Sequence, residues 1–303
     1  MTKVAWLGLG VMGVAIAGHL KSRGGHDVTV YNRTAEKADA WCAANAGCTK
    51  AATPREAASG AEIVFTCVGN DDDLRSVTTG PDGAFAAMQP GTIFVDHTTA
   101  SATIARDLAA AASAKGFSFL DCPVSGGEAG AKAGTLTVMA GGDMAAFAKA
   151  EPVIKSYARM VRHLGPSGSG QLAKMANQIA IAGLLQGLAE SIHFAEKAGL
   201  DVEALVDVIS KGAAQSWQMD NRSKTMHARQ FEFGFAVDWM RKDLGIVRDE
   251  AARNGATLPV TTLVDLFYAD VQRLGGSRWD TSSLIARLSP AAIRTQSVVP
   301  LRT

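Results

Sequence analysis

The chain lacks a dominant sign of charge. Its 30 basic side chains face 29 acidic ones, a formal net charge of +1. That balance argues against nucleic acid as a partner, because phosphate backbones need a concentrated positive field. Small basic groups such as Arg241-Lys242 read as solvated faces. Also missing is any uncharged apolar stretch of about 18 residues, so no membrane span is expected. Residues 4–20 have neither a basic leader nor a small-residue cleavage site; no secretory signal is read there, and cytoplasm is the expected compartment. The four cysteines, at 42, 48, 67 and 122, form no CxxC pair. All are expected to be free thiols in a reducing compartment. No His, Cys or carboxylate spacing has the form of a metal site, and the adjacent Asp71, Asp72 and Asp73 point different ways. Asn70 with these three reads instead as the cap and acidic first turn of a helix. No repeat of fixed period is present.

What the chain does have is apolar material, 47% of 303 residues. That is enough for a sizeable core, and for two domains or one domain with an extension. The runs KVAWLGL, DVTVYN, AEIVFTCV, TIFVDHT and FSFLDCPV read as strands. Between them VMGVAIAGHLKSRG, KADAWCAANA and SATIARDLAAAASAKG have helical character. This alternation predicts a parallel sheet covered on both faces, with LTVMAGG and MVRHLG as further strands. Near residue 164 the period changes. After GPSGSG comes a long stretch without proline, QLAKMANQIAIAGLLQGLAESIHFAEKAG, which predicts one helix over 168–197. The remainder is helical in period, with breaks at Gly199, Gly212, Gly255 and Gly275-Gly276.

Gly8, Gly10 and Gly13 form GLGVMG between the first strand and the first helix. In a dinucleotide fold the first glycine permits the turn, the second lets backbone approach a pyrophosphate, and the third lets helix pack on strand. The helix N-terminus then offers free N–H groups to the anion. Gly8, Leu9, Gly10, Val11, Met12 and Gly13 are therefore the expected cofactor loop. At the end of the second strand an NAD site carries a carboxylate for the ribose hydroxyls. Here the chain has Asn32, Arg33 and Thr34. Arg33 suits a 2′-phosphate, with Asn32 and Thr34 as further donors, so NADP is expected over NAD. The expected architecture is an α/β Rossmann-like, NADP-binding domain with a parallel-rich sheet over 1–164. An all-helical substrate and oligomerisation domain follows over 165–303, entered by the long interdomain helix.

Further motifs lie at the Asp96–Thr99 segment, DCPVSGG from Asp121, GSGQLAKMANQ and RKDLG at 241–245. In this order and spacing, with GLGVMG, the chain resembles the β-hydroxyacid dehydrogenase family, which includes 3-hydroxyisobutyrate dehydrogenase, tartronate semialdehyde reductase and the glyoxylate/succinic semialdehyde reductases. The resemblance covers nearly the whole chain. It implies that Ser125, Gly126 and Gly127 hold a substrate carboxylate; the small residues there leave backbone N–H groups open as a nest for an anion. It also implies that Lys174 handles the hydroxyl proton of a small 3-hydroxy acid or its semialdehyde. A lysine's ordinary pKa of about 10.4 is high for a base near neutrality, so the role asks for desolvation or a nearby cation, with Lys242 as candidate. Thr98 matches a small hydroxyl residue near nicotinamide and substrate, and Val68 and Gly69 match a loop that passes the cofactor. Lys242 matches a cleft position near nicotinamide or substrate carboxylate, with Asp243 as its holder or as the cap of a turn. The family often places Asn four residues after the lysine. Here Gln178 stands there and Asn177 precedes it, leaving open which amide assists and which substrate fits. A homodimer or homotetramer is expected.

Two rivals remain at this level. An imine reductase on the same scaffold usually lacks the lysine at this position. A non-catalytic NADP-binding regulatory protein would have no need of Lys174 and an intact substrate loop. The aromatics Trp217, Phe231, Phe235 and Trp239 either shape a pocket wall or belong to a helical core.

Overall fold

The computed structural model describes residues 1–288 and divides into two compact units, Met1–Lys174 and a second beginning at Met175. The last part of the expected helical domain, 289–303, lies outside the described residues.

In the first unit β1 (Lys3–Leu7) leads into α1 (Val11–Ser22), β2 (Asp27–Tyr31) and α2 (Ala35–Ala44). A two-residue β3 (Thr49–Lys50), α3 (Pro54–Ala58), β4 (Ile63–Thr66) and α4 (Asp71–Thr78) follow. Then come β5 (Ile93–Asp96), α5 (Ala102–Ser113), β6 (Ser118–Asp121), β7 (Val124–Ser125), α6 (Gly127–Ala133), β8 (Leu136–Gly142), α7 (Met144–Ile154) and β9 (Ala158–Gly165). The sheet order is β3-β2-β1-β4-β5-β6-β8-β7, with β9 on β8. The first six strands are parallel. β8 runs antiparallel to β6 and β7, and β9 runs parallel to β8.

Side-chain alternation along the strands builds two cores. Val4 and Trp6 join Ile16 and Leu20 of α1, Trp41 of α2 and Phe147 and Ile154 of α7 on one face. Ala5 and Leu7 join Ala57 of α3, Leu74 of α4 and Ile104 and Leu108 of α5 on the other. Burial on both faces is why β4 and β5 are apolar without alternation.

Register matters more for function than burial. Tyr31 pairs with Leu7, Leu7 with Thr66, Thr66 with Asp96, and Asp96 with Asp121. The carboxyl ends of five strands therefore stand in one row, and the loops after them share one edge of the sheet. In open α/β sheets ligands bind at that edge, where the strand order reverses; here the reversal lies between β1 and β4.

The cysteine expectation needs correction. Cys67 and Cys122 are free, but Cys42 and Cys48 are joined in a disulfide, with Cα atoms 5.4 Å apart. The end of α2 brings them together: Asn45 N–H donates back to Cys42 O, and Cys48 N–H to Asn45 O, which folds the chain tightly before β3.

The long helix α8 (Ser169–Lys197) has 29 residues. The second unit adds α9 (Val202–Ile209), α10 (Trp217–His227), α11 (Val237–Asn254), α12 (Pro259–Arg273) and a closing 3-10 segment, Thr281–Leu288. Its core takes Leu185, Leu188 and Ile192 from α8, Met240 and Leu244 from α11, and Val264, Tyr268 and Val271 from α12. α11 ends at the left-handed Gly255, one of the glycine breaks expected from the sequence.

Candidate active site

The GLGVMG loop follows β1 on the row of strand ends. Gly8 has φ +102°, and a Cβ there would lie 2.5 Å from Cys67 O. A Cβ on Gly13 would strike Gly8 O and come within 2.8 Å of Trp6 Nε1, which itself donates to Gly8 O at 2.8 Å. Gly10 differs: nothing lies within 4 Å of a Cβ placed on it. It precedes α1, which has no side-chain cap and no acidic residue in its first turn. By contrast, Asn70, Ser101 and Asp143 each accept an N–H at the starts of α4, α5 and α7. Two of the three glycines thus answer to the protein's own packing. The third leaves room beside free N–H groups, as a pyrophosphate requires. Val11 is exposed and Met12 packs partly against the core.

The loop after β2 holds this one in place. Leu9 N–H donates to Asn32 Oδ1 at 2.8 Å, and Asn32 Nδ2 donates to Thr34 O at 2.9 Å. Asn32 therefore commits its amide to shaping the turn. Arg33 projects outward, its side chain 84% exposed, with Nη1 2.9 Å from Asp73 Oδ1 of α4. Thr34 is exposed at the start of α2.

The loops after β4 and β5 are tied together by Thr98. Its Oγ1 accepts Val68 N–H at 3.0 Å, next to Gly69. Its own N–H donates to Asp96 Oδ1 at 2.9 Å. Asp96 is fully buried, and its Oδ2 has no partner. Burial pushes its pKa up to about 8, against the hydrogen bonds from Thr98; Asp121 and Asp71 add to the rise. His97 is held between Cys122 O at 2.6 Å and Tyr157 Oη at 2.8 Å. Desolvation lowers its pKa to about 4, so the imidazole is neutral.

Ser125 ends β7 half-buried, and Gly126 and Gly127 are exposed with φ of +126° and +60°. Only glycine adopts such values in succession without strain. Lys174 is buried, near the start of α8. The start of that helix is held by two residues to which the sequence reading gave no role. Asp121 accepts from Gly168 N–H at 2.8 Å and from Gln171 N–H at 2.9 Å. Burial raises its pKa, against the pull of those N–H groups. Gln171 donates Nε2 to Thr98 O at 2.7 Å and accepts Ala100 N–H at 3.1 Å. Neither role had a local signal, because the partners lie 47 to 73 residues apart along the chain.

The second unit brings together a different set. Asn177 Nδ2 donates to Gln178 Oε1 at 2.8 Å, and Gln178 Nε2 donates to Asp243 Oδ2 at 2.8 Å. Asp243 Oδ1 lies 3.0 Å from Lys242 Nζ, whose ammonium stands 5.8 Å from the Trp239 ring centroid. Phe231 belongs to the helical core, Phe235 packs partly against it, and Trp217 and Trp239 are exposed. Among the described residues, no group of three or more His, Cys, Asp or Glu is placed to hold a metal, and no helix is long and apolar enough to cross a membrane.

Comparison with known proteins agrees with this geometry. A family profile described as the NAD binding domain of 6-phosphogluconate dehydrogenase matches residues 3–165. One described as NAD-binding of NADP-dependent 3-hydroxyisobutyrate dehydrogenase matches 168–288. An uncharacterized oxidoreductase of Shewanella frigidimarina is 62% identical over 288 residues, 95% of this chain and 98% of that protein. The Mycobacterium tuberculosis 3-hydroxyisobutyrate dehydrogenase with L-serine aligns at TM-score 0.86 and 34% identity, covering 95% of this chain and 99% of that one. Psf3 in complex with NADP+ and 2-OPP aligns at TM-score 0.85 and 28% identity, covering 94% and 100%. The chain therefore belongs to the β-hydroxyacid dehydrogenase family and is an NAD(P)-dependent oxidoreductase acting on a small-molecule substrate.

Proposed function

We propose that the chain oxidises a small 3-hydroxy acid of the 3-hydroxyisobutyrate type, or reduces its semialdehyde, with NADP(H) preferred and Lys174 as general acid/base. The observation that carries this reading is the burial of Lys174, only 7% exposed, near the start of the helix whose first turn is fastened to the row of strand ends. A lysine is rarely withdrawn from water without a task. The L-serine in the M. tuberculosis relative has the same hydroxyl-to-carboxylate spacing as a 3-hydroxy acid and supports the substrate class.

Residues 1–164 bind the cofactor, and residues 165–303 supply further substrate contacts through Asn177, Gln178 and Lys242. The Gly8–Gly13 loop takes the pyrophosphate beside the N-terminus of α1. Arg33 and Thr34 face the 2′-phosphate, while Asn32 holds their turn, and Val68, Gly69 and Thr98 line the nicotinamide side. Nicotinamide, when bound, supplies the hydride acceptor for oxidation and the donor for reduction. Ser125 and the N–H groups of Gly126 and Gly127 hold the substrate carboxylate. Lys174 Nζ takes the hydroxyl proton as the carbonyl forms and returns it in the reverse direction. Exposed Val260, Leu263 and Leu266 of α12 suit a contact between copies, in a dimer or tetramer.

Initial rates with NADP+ and with NAD+ against 3-hydroxyisobutyrate, 3-hydroxypropionate, 4-hydroxybutyrate, glycerate and L-serine test the reading. Turnover of at least one 3-hydroxy acid is expected, reduced about 10²- to 10⁴-fold in Lys174→Ala. A wild type inert on every acid, or a Lys174→Ala enzyme as fast as wild type, overturns it.

A further inference from the structure

The first turn of α8 is locked to the sheet more tightly than packing alone requires. Asp121 at the end of β6 takes the N–H of Gly168, just before the helix, and that of Gln171 in its first turn, groups that a helix start otherwise leaves to solvent or a local cap. The Asp121 carboxylate therefore caps this helix from a distant strand. Glycines allow the approach: a Cβ on Gly141 of β8 would lie 2.7 Å from both Asp121 Oδ1 and Gly170 N, and one on Gly170 would lie 2.5 Å from Met139 O.

Gln171 makes the second attachment. Its side chain is buried and bonds the segment after β5 twice, donating to Thr98 O and accepting from Ala100 N–H. Only an amide offers a donor and an acceptor in that arrangement at every pH. Thr98, held this way through its carbonyl, in turn holds Val68 N–H through its hydroxyl. Lys174 lies three residues beyond Gln171, about one helical turn onward and on the same side of α8.

We propose that Asp121 and Gln171 are positioning residues: they set the rotation and depth of the first turn of α8 against the ends of β5 and β6, and so fix where Lys174 Nζ meets the substrate hydroxyl. The proposal rests on Lys174 as the general acid/base. Rotation of the helix by one residue would swing Lys174 by about 100°, and placement errors near 1 Å can cost about 10²-fold in rate. Substrate affinity set by the Ser125–Gly127 loop would not share that loss.

The test compares wild type, Gln171→Met, Asp121→Asn and Lys174→Ala with 3-hydroxyisobutyrate and L-serine as substrates and NADP+ as cofactor. NADPH binding is followed by fluorescence and melting by calorimetry. Gln171→Met keeps the side chain's length and removes both hydrogen bonds. Asp121→Asn turns one acceptor into a donor that opposes an N–H group. Each is expected to lower kcat about 10- to 100-fold, with KM for the acid within about twofold. NADPH affinity is expected to fall less than kcat does, since the Gly8–Gly13 loop and Arg33 are untouched, and the primary deuterium isotope effect to rise as chemistry becomes limiting. The proposal is overturned if Lys174→Ala is inert while the soluble, NADPH-binding Gln171→Met and Asp121→Asn proteins keep wild-type kcat, or lose only KM. If Lys174→Ala keeps its rate, the underlying reading fails first and the positioning role falls with it. Should Asp121→Asn not fold, Gln171→Met alone decides.

Discussion

Asp96 and His97 are adjacent, both fully buried, and pull the pH dependence of stability in opposite directions. Asp96 has a folded pKa of about 8, above its ordinary value of 3.8. Between those values the native state holds a proton that the unfolded chain has released, so stability falls as pH rises from about 4 to about 8. His97, lowered from 6.5 to about 4 by desolvation, does the reverse: the unfolded chain protonates first, and stability is lost as pH falls through that window. Asp96→Asn keeps an acceptor for Thr98 N–H and abolishes the Asp96 contribution. Its melting temperature relative to wild type is expected to climb between pH 5 and pH 8 by about 2 °C or more. An offset independent of pH would refute the assignment. At this scale the sequence was legible where a residue's role is local. The glycines of GLGVMG and the Asn70 cap, which accepts Asp73 N–H at 2.8 Å, needed only their neighbours to be read. Asp121 and Gln171 lie in the motifs DCPVSGG and GSGQLAKMANQ, yet their partners, at the start of α8 and in the segment after β5, are distant in sequence, and no local pattern names them.

Among elements, α1 starts with no side-chain cap and no acidic residue in its first turn. Gly13 and Gly10 separate the two demands made on it. Gly13→Ala forces a methyl group against Gly8 O and Trp6 and is expected to destabilise the fold by about 1–3 kcal/mol, as overpacking does. Gly10→Ala meets nothing in the protein. It is expected to keep stability within about 1 kcal/mol while weakening NADPH binding. Paired thermal melts and NADPH titrations check this, and equal effects of both variants on both readouts would refute it. The alternation of strands and helices was legible because burial on both faces leaves unbroken apolar runs. The direction of β8 was not, since parallel and antiparallel strands place their side chains with the same period of two. The two-residue β3 and β7 and the seven-residue α6 are too short to show a period. The disulfide was missed because six residues of separation say nothing about proximity until α2 ends and the chain turns back.

For the whole molecule, binding that favours the folded state raises its stability by mass action. A ligand at 100 times its dissociation constant adds about 2.7 kcal/mol. With net charge near zero, a preference between the two dinucleotides would rest on a local contact, and in the proposed function Arg33, an exposed guanidinium, supplies it. NADPH is expected to raise the melting temperature more than equal NADH, and Arg33→Ala is expected to erase most of that difference. A gap that survives the substitution would move the preference elsewhere. The row of strand ends has a consequence for how such a chain stores its instructions. Residues 8, 32, 68 and 98 follow the ends of β1, β2, β4 and β5, and Ser125 closes β7 just beyond β6, so each of these crossings of the sheet contributes one word to a sentence that is read along the edge. Lengthening a covering helix changes the spacing of the words in the gene and leaves their spacing in the protein as it was. Cut anywhere before Ser125, the chain loses part of the message, however well the remainder folds.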